Sequence, residues 1–157
     1  MPDMLVKLYK LPPLEPVLKR MSDSGIQVRR ALAPEKHLVL AWINQYFWVS
    51  WAAECDVTFG HLPIGTFIAV ENATILGFAC YDASARGFFG PTGVNDAARG
   101  RGVGGALLLA ALHDMRVQGY GYGIIGAVGP AEFYAKVVGA TLIEDSVPGI
   151  YGGLLKK

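Results

Sequence analysis

The clearest candidates for chemistry are the glycines and arginines of one segment, Arg99-Gly100-Arg101-Gly102-Val103-Gly104-Gly105. This segment runs directly into residues 106–112, an alanine- and leucine-rich stretch that favours a helix. Small residues at a helix start leave backbone N–H groups unshielded, and the helix dipole adds about half a positive charge there. Glycine also lets a ligand approach the backbone closely and permits positive φ. Together with the two arginines, these features predict a site for an anion such as a pyrophosphate.

Two nucleotide-binding motifs and a purely structural role compete with this interpretation. A P-loop needs a Lys-Ser or Lys-Thr pair after its last glycine, and Gly105-Ala106 provides neither. The spacing Gly100-x-Gly102-x-x-Gly105 matches the dinucleotide fingerprint, but residues 115–131 contain no acidic residue for a ribose. Glycines in this position can also serve only to let a helix pack tightly on a strand. A dinucleotide-binding protein and a purely structural turn therefore stay open as alternatives.

Composition restricts the class of protein. The 157 residues are enough for one domain with a large core, because 52% are hydrophobic and only 17% are charged. A net charge of +1 and scattered basic residues argue against nucleic acid as a partner. We expect neither a signal peptide nor a membrane partner, because no apolar stretch has the necessary length. Two cysteines cannot form a disulfide framework, so the expected location is cytoplasmic.

Hydrophobic periodicity predicts alternating strands and helices around the glycine-rich turn. The expected strands cover residues 4–9, 26–30, 67–70, 75–81, 87–94 and 123–128, with a final pair at 141–144 and 150–155. The expected helices cover residues 14–21, a segment that begins at Pro34, residues 50–57, the stretch after Gly105, and residues 130–138. This order predicts an α/β (α+β) fold with a mixed, mostly antiparallel central sheet of six to seven strands flanked by helices.

Several segments in the same order resemble one enzyme family. Arg99-x-x-Gly102-x-Gly104 resembles the acetyl-CoA signature of the GNAT superfamily of N-acetyltransferases. Residues 92–94 precede it as the splayed central strand of that family does, and residues 133–140 are similar to the family's tyrosine-containing segment. Residues 26–31 resemble the family's first strand. We therefore expect a GNAT-like domain over residues 26–157, with residues 1–25 as an N-terminal extension packed on it.

The resemblance implies a fold of the acyl-CoA N-acyltransferase type and acetyl-CoA as cosubstrate. Backbone N–H groups of the turn would bind the pyrophosphate, and the backbone of Thr92 and Val94 would pair with the pantetheine arm. The cofactor-binding residues implied in this way are Thr92, Gly93, Val94, Arg99, Gly100, Arg101, Gly102, Val103, Gly104, Gly105 and Ala106.

The same resemblance implies an acid and a base. By the family pattern Tyr134 protonates the leaving thiolate, since a phenol pKa of about 10 is comparable with a thiol pKa of about 8.5. A packing role for the Tyr134 ring is the alternative. Many relatives carry a glutamate on the central strand that acts as the general base, but residues 88–94 contain no acidic residue. Asp82 and Glu54 are the candidate substitutes. Either can equally be a surface charge, and a water chain is a third possibility.

Aromatic residues crowd the two predicted early helices, and the resemblance implies that this region shapes the acceptor pocket. Trp48 and Trp51 are the candidates for its mouth, with Phe88 on the central strand as a further lining residue. Such a mouth can bind an apolar acceptor, hold a cation over a ring face, or form half of a homodimer interface. The three histidines lack metal-ligand spacing, so no metal site is expected.

The sequence thus predicts an acetyl-CoA-dependent N-acetyltransferase that moves an acetyl group to a primary amine of a small molecule or peptide. Because the strand glutamate is missing, a non-catalytic acyl-CoA-binding module of the same fold stays as the alternative.

Overall fold

The computed structural model describes the whole chain, Met1–Lys157, and contains seven strands and five α-helices. The strands are β1 (Met4–Lys7), β2 (Gln27–Arg30), β3 (Thr66–Glu71), β4 (Thr74–Tyr81), β5 (Phe88–Val94), β6 (Tyr122–Ile125) and β7 (Thr141–Leu142). The helices are α1 (Glu15–Asp23), α2 (Lys36–Tyr46), α3 (Val49–Thr58), α4 (Val103–Val117) and α5 (Ala131–Val138).

All seven strands form one sheet in the order β2-β3-β4-β5-β6-β1-β7. Only β5 and β6 are parallel to each other, and every other neighbouring pair is antiparallel. Helices α2 and α3 cover one face around Phe78 and Ile68, while α4 packs in the main core on β3, β4 and β5. The predicted mixed, mostly antiparallel sheet flanked by helices is therefore confirmed.

Helix α4 is held to the sheet by burial and by one polar network. Its apolar residues, including Leu107 and Leu112, are fully buried. The Asp114 carboxylate accepts two hydrogen bonds from the Arg30 guanidinium, at 2.7 and 3.0 Å, and one short hydrogen bond from the Tyr81 hydroxyl. This network joins the C-terminal half of α4 to strands β2 and β4, and so holds the helix on the sheet.

The N-terminal residues lie inside the sheet. Strand β1 pairs with β6 on one side and with β7 on the other, so that Met4 is opposite both Ile125 and Leu142. Just beyond the strand, the Leu8 side chain is fully buried and lies against Gly123. The boundary at residue 25 stays a prediction, but the first residues supply a strand that separates β6 from β7.

The expected final strand pair is wrong. Strand β7 has only two residues, and Gly149–Tyr151 forms a single 3-10 turn instead of a strand. Strand β1 already takes the place beside β7, and Pro148 with the glycines at 149, 152 and 153 disfavours a regular ladder. The C-terminal segment is therefore free to contact the helical side of the domain.

No helix is both long and apolar enough to cross a membrane.

The position of β1 predicts a large stability cost for changes near the N-terminus. Leu8→Ala should lower the free energy of unfolding by about 2–5 kcal/mol, because it empties a fully buried site. Chemical denaturation would measure this change. Leu155→Ala, the same substitution at an exposed leucine, is the control and should change stability little. Equal effects of the two variants would contradict the assignment of this segment to the core.

Candidate active site at the divergence of two strands

The site begins where β5 and β6 stop pairing. Their parallel pairing consists of Phe88 opposite Ile124 and Phe89 opposite Ile125. On the other side of β5, the pairing with β4 shifts register, so that Gly90 and Pro91 lie opposite one residue of β4. A bulge of this kind bends a strand, and the proline has no N–H group for a ladder. The second half of β5 therefore leaves β6 and opens a gap in the sheet.

Alternation along β5 directs specific backbone groups into this gap. The Asn95 N–H donates to the Leu76 carbonyl of β4 at 2.8 Å. Backbone groups point to opposite sides at successive strand residues, so Gly93 also faces β4. The backbone groups of Thr92 and Val94 then face the gap. These are the two residues whose backbone was expected to pair with a pantetheine arm.

A row of unpaired amides lies beside the gap. Gly100 and Gly102 both have positive φ, 81° and 80°, and Gly102 is the N-cap of α4 without a side-chain cap. The N–H groups of Val103, Gly104 and Gly105 donate to no protein acceptor. The first turn of α4 therefore presents free donors and the positive end of the helix dipole to one point.

A cavity of about 460 Å³ connects these amides to β5 and α5. It brings together nine of the eleven residues implied for the cofactor. Its full lining is Thr92, Gly93, Val94, Ala98, Arg99, Gly100, Gly102, Val103, Gly104, Gly105, Leu108, Pro130, Phe133 and Tyr134.

Arg101 and Ala106 are the two implied residues that do not line this cavity. The Arg101 guanidinium makes a bidentate ion pair with Glu71 at 2.6 and 3.1 Å, so its charge is directed to the edge of the sheet. The Ala106 N–H donates to the Gly102 carbonyl at 3.1 Å as part of the helix, which leaves it unable to bind a ligand. Arg99 is the arginine that lines the cavity, with its Nε 3.0 Å from the Asp96 carboxylate.

Tyr134 closes the far end of this cavity. Its ring packs edge-on against Phe89 and Phe133, with centroids 6.4 and 5.1 Å apart, and only 7% of the residue is exposed. The hydroxyl has no hydrogen-bond partner in the protein, yet it is not sealed from the cavity. Burial raises the pKa of Tyr134 above its ordinary value. The phenol therefore keeps its proton through the neutral range and can act as a proton donor.

A second cavity, of about 670 Å³, meets the first at Tyr134, Thr92 and Pro130. It lies between α3, the start of β5 and the C-terminal segment. Besides those three, it is lined by Met1, Trp48, Ser50, Trp51, Ala53, Glu54, Ser84, Phe89, Gly90, Pro91, Ile125, Gly126, Ala127, Val128, Gly129, Tyr151 and Leu154. The two predicted tryptophans and Tyr134 thus share one space.

The tryptophans are positioned through the central strand. Gly93 has no side chain, and the Phe47 ring occupies the place where a Cβ would stand, 2.5 Å from Phe47 Cζ. The Phe47 ring in turn stacks on Trp51 at a centroid distance of 5.3 Å, and Trp51 meets Trp48 edge-on at 4.7 Å. A glycine on β5 therefore determines where the aromatic wall begins.

The two candidate bases have different environments. Glu54 lines the second cavity and accepts hydrogen bonds from Ser84 Oγ at 2.8 Å and from the Tyr151 hydroxyl at 3.2 Å. Asp82 lines neither cavity. Its carboxylate accepts hydrogen bonds from the Gly87 N–H and the Tyr120 hydroxyl, both at 2.7 Å, so it holds the β4–β5 connection. Of the two, only Glu54 lies on the same space as Tyr134.

Phe89 takes the position expected for Phe88. Neighbouring residues of a strand point to opposite faces, and Phe89 lines the second cavity while Phe88 packs against Gly126. Tyr151, Ser84 and Leu154 were also missed, because they are distant in sequence and belong to no motif. No group of three or more His, Cys, Asp or Glu side chains is arranged to hold a metal ion.

Solved structures of acetyltransferases share this fold. A GCN5-related glucosamine N-acetyltransferase region of a fungal multi-domain GH3 β-N-acetylglucosaminidase matches 90% of this chain and 19% of its own, with 16% identity and a TM-score of 0.74. A GCN5-related N-acetyltransferase from Sphaerobacter thermophilus matches 90% of this chain and 48% of its own, with 19% identity and a TM-score of 0.64. One from Kribbella flavida matches 90% of this chain and 53% of its own, with 15% identity and a TM-score of 0.58.

The chain therefore spans about a fifth of the first of these proteins and about half of the other two. No curated protein matches its sequence. A family model does match: residues 27–139 fit the acetyltransferase (GNAT) family, and this segment contains strands β2 to β6 and the start of α4. Because that match covers well over half of its length, the chain belongs to the acetyltransferase (GNAT) family.

Proposed function

We propose that this protein is an acetyl-CoA-dependent N-acetyltransferase that acts on a primary amine. The observation that carries the proposal is the row of unpaired amides at the start of α4, beside an open strand edge that leads to Tyr134. An anion site, a strand edge with free backbone groups and a proton donor thus follow one another along the same cavity.

The residues present suit coenzyme A. The N–H groups of Val103, Gly104 and Gly105, with Arg99 beside them, would hold the diphosphate at the positive end of the helix. The free backbone groups of Thr92 and Val94 would hold the amide-containing pantetheine arm as an added strand. When bound, acetyl-CoA supplies an acetyl thioester: the amine nitrogen bonds to the carbonyl carbon, the C–S bond breaks, and the sulfur leaves as a thiolate.

Tyr134 would give its hydroxyl proton to that thiolate. The raised pKa of Tyr134 keeps the phenol protonated at neutral pH, so its proton is available when the thiolate forms beside it. Its position on the wall common to both cavities supports this role, because a cofactor in one cavity and an acceptor in the other would both lie next to it.

Glu54 would receive the proton that the amine loses. An alkylammonium in water has a pKa of about 10.4, so the nucleophile needs a group that can take a proton. Asp82 is less suited, since both of its oxygens already hold the β4–β5 connection. In this arrangement a helix residue replaces the glutamate that many relatives carry on the central strand.

The main test measures thiol release from acetyl-CoA with a panel of primary amines. The expected result is amine-dependent release and an acetylated product. Calorimetric binding of coenzyme A without thiol release for any amine would instead support the non-catalytic acyl-CoA-binding module. Tighter binding of NAD than of coenzyme A would contradict both.

If the start of α4 is an anion site, a negative charge at Gly105 should weaken coenzyme A binding without destabilising the protein. This residue lies in the first turn of α4, and a Cβ added there meets no atom within 4 Å. Gly105→Asp should leave thermal stability unchanged or higher, since a carboxylate suits a helix N-terminus. It should also weaken coenzyme A binding by about tenfold or more through repulsion of the diphosphate. Gly105→Asn, of nearly equal size but neutral, is the control, and an equal loss in both variants would argue against the anion site.

The acid role predicts the effect of removing one oxygen from Tyr134. Tyr134→Phe should lower kcat by about 100-fold or more, because the thiolate would leave unprotonated. Coenzyme A affinity should stay within about twofold, since the ring packing is kept. The raised pKa of Tyr134 also predicts that any loss of wild-type kcat through ionisation of this group occurs at higher pH than for an ordinary phenol. A kcat close to the wild-type value would leave Tyr134 with a packing role only.

A further inference from the structure

We propose that the acceptor is a small primary amine with an apolar body and no anionic group. This inference rests on the proposed function and concerns the second cavity, the one between α3 and the C-terminal segment. Its volume of about 670 Å³ is sufficient for a small molecule of this kind.

The cavity contains one charged side chain. Glu54 is the only Asp, Glu, Lys, Arg or His in its lining, and it forms no ion pair with a cationic side chain or with the amino group of Met1, which also lines the cavity. Its two hydrogen-bond donors, Ser84 and Tyr151, are both neutral. The carboxylate therefore lacks a counter-charge, and an ammonium group on the acceptor would provide it.

The rest of the wall is largely apolar and aromatic. The large side chains that line the cavity together with Glu54 include Trp48, Trp51, Phe89 and Leu154. Trp48 is 63% exposed and is held edge-on by Trp51, so its ring is available to a ligand at the mouth. Such walls favour an aromatic or aliphatic body and also stabilise a cation over a ring face.

The same lining disfavours two common kinds of amine. A free amino acid brings a carboxylate, for which the cavity offers no cationic side chain. An amino sugar brings several hydroxyls, and besides Glu54 the only side chains in the lining that can hydrogen-bond to them are Ser50, Ser84, Thr92 and two tyrosines. One of those tyrosines and one of those serines already bind Glu54. A buried hydroxyl without a partner is costly, so a sugar would bind less well than a hydrocarbon.

The experiment compares 2-phenylethylamine with phenylalanine, which differs from it only by the carboxylate, and with glucosamine. Thiol release from acetyl-CoA gives kcat and KM for each amine. We expect kcat/KM for 2-phenylethylamine to exceed that of both others by about tenfold or more. A preference for phenylalanine or glucosamine would overturn this inference while leaving the N-acetyltransferase function in place.

Substitutions in the cavity wall test which side chains cause the preference for 2-phenylethylamine. Glu54→Gln should raise KM for 2-phenylethylamine by about tenfold, whereas Asp56→Asn, on the same helix but paired with Lys36 in solvent, should change it by less than about twofold.

Trp48→Ala should raise KM for 2-phenylethylamine several-fold while leaving that for methylamine unchanged. Tyr46→Ala, an exposed aromatic outside the cavity, is its control. Equal effects of Trp48→Ala on both amines would contradict an apolar wall.

A failure of catalysis can be separated from a failure of recognition. If no amine releases thiol, calorimetry of 2-phenylethylamine with the coenzyme A complex tests the cavity alone. Binding that weakens about tenfold in Glu54→Gln would support the acceptor class although the proposed reaction had failed. Absence of binding, or binding indifferent to that change, would overturn it.

Discussion

The early end of the pairing between β5 and β6 is the constraint on which the site depends. Two strands that stay together would satisfy each other's backbone groups and leave nothing for a ligand. The bulge at Gly90 and Pro91 bends β5 away after Phe89, so that Thr92 and Val94 keep unpaired groups beside the free amides of α4. The burial of α4 along its length and the Asp114 network near its C-terminal end hold the helix on the sheet, with its start beside this opening. The gap is thus maintained by the core.

Positive, negative and neutral groups lie in different places around the gap. Unpaired N–H groups and Arg99 concentrate positive potential in the smaller cavity, whereas Glu54 gives the larger cavity its one negative side chain. Tyr134 stands between them as a neutral phenol, and burial moves its pKa further above the neutral range. Arg101, which looks like part of the anion site in the sequence, is neutralised by Glu71 at the sheet edge. Positive potential is therefore focused on the amides, and Arg99, which is itself paired with Asp96, is the arginine that lines their cavity.

Local patterns predicted most of the elements that form the cofactor side. The glycine-rich turn, the helix after it and the β3–β4 hairpin each depend on neighbouring residues, and Tyr134 lies on the expected short helix. Long-range features were beyond such patterns. Nothing in residues 4–7 indicates that they separate β6 from β7, and the alternation of β5 determines whether Phe88 or Phe89 lines the cavity. Tyr151 reaches Glu54 across 97 residues, so no spacing rule could find it. A homodimer through the exposed aromatics stays a prediction.

The most direct test of the account is the response of backbone amides to coenzyme A. In ¹H–¹⁵N spectra of the labelled protein, the amide signals of Gly102, Val103, Gly104 and Gly105 should show the largest downfield shifts on addition of coenzyme A. Pantetheine, which lacks the diphosphate, should leave these signals nearly unchanged while still affecting Thr92 and Val94. Saturating coenzyme A that shifts other regions and leaves the start of α4 unaffected would contradict the central claim.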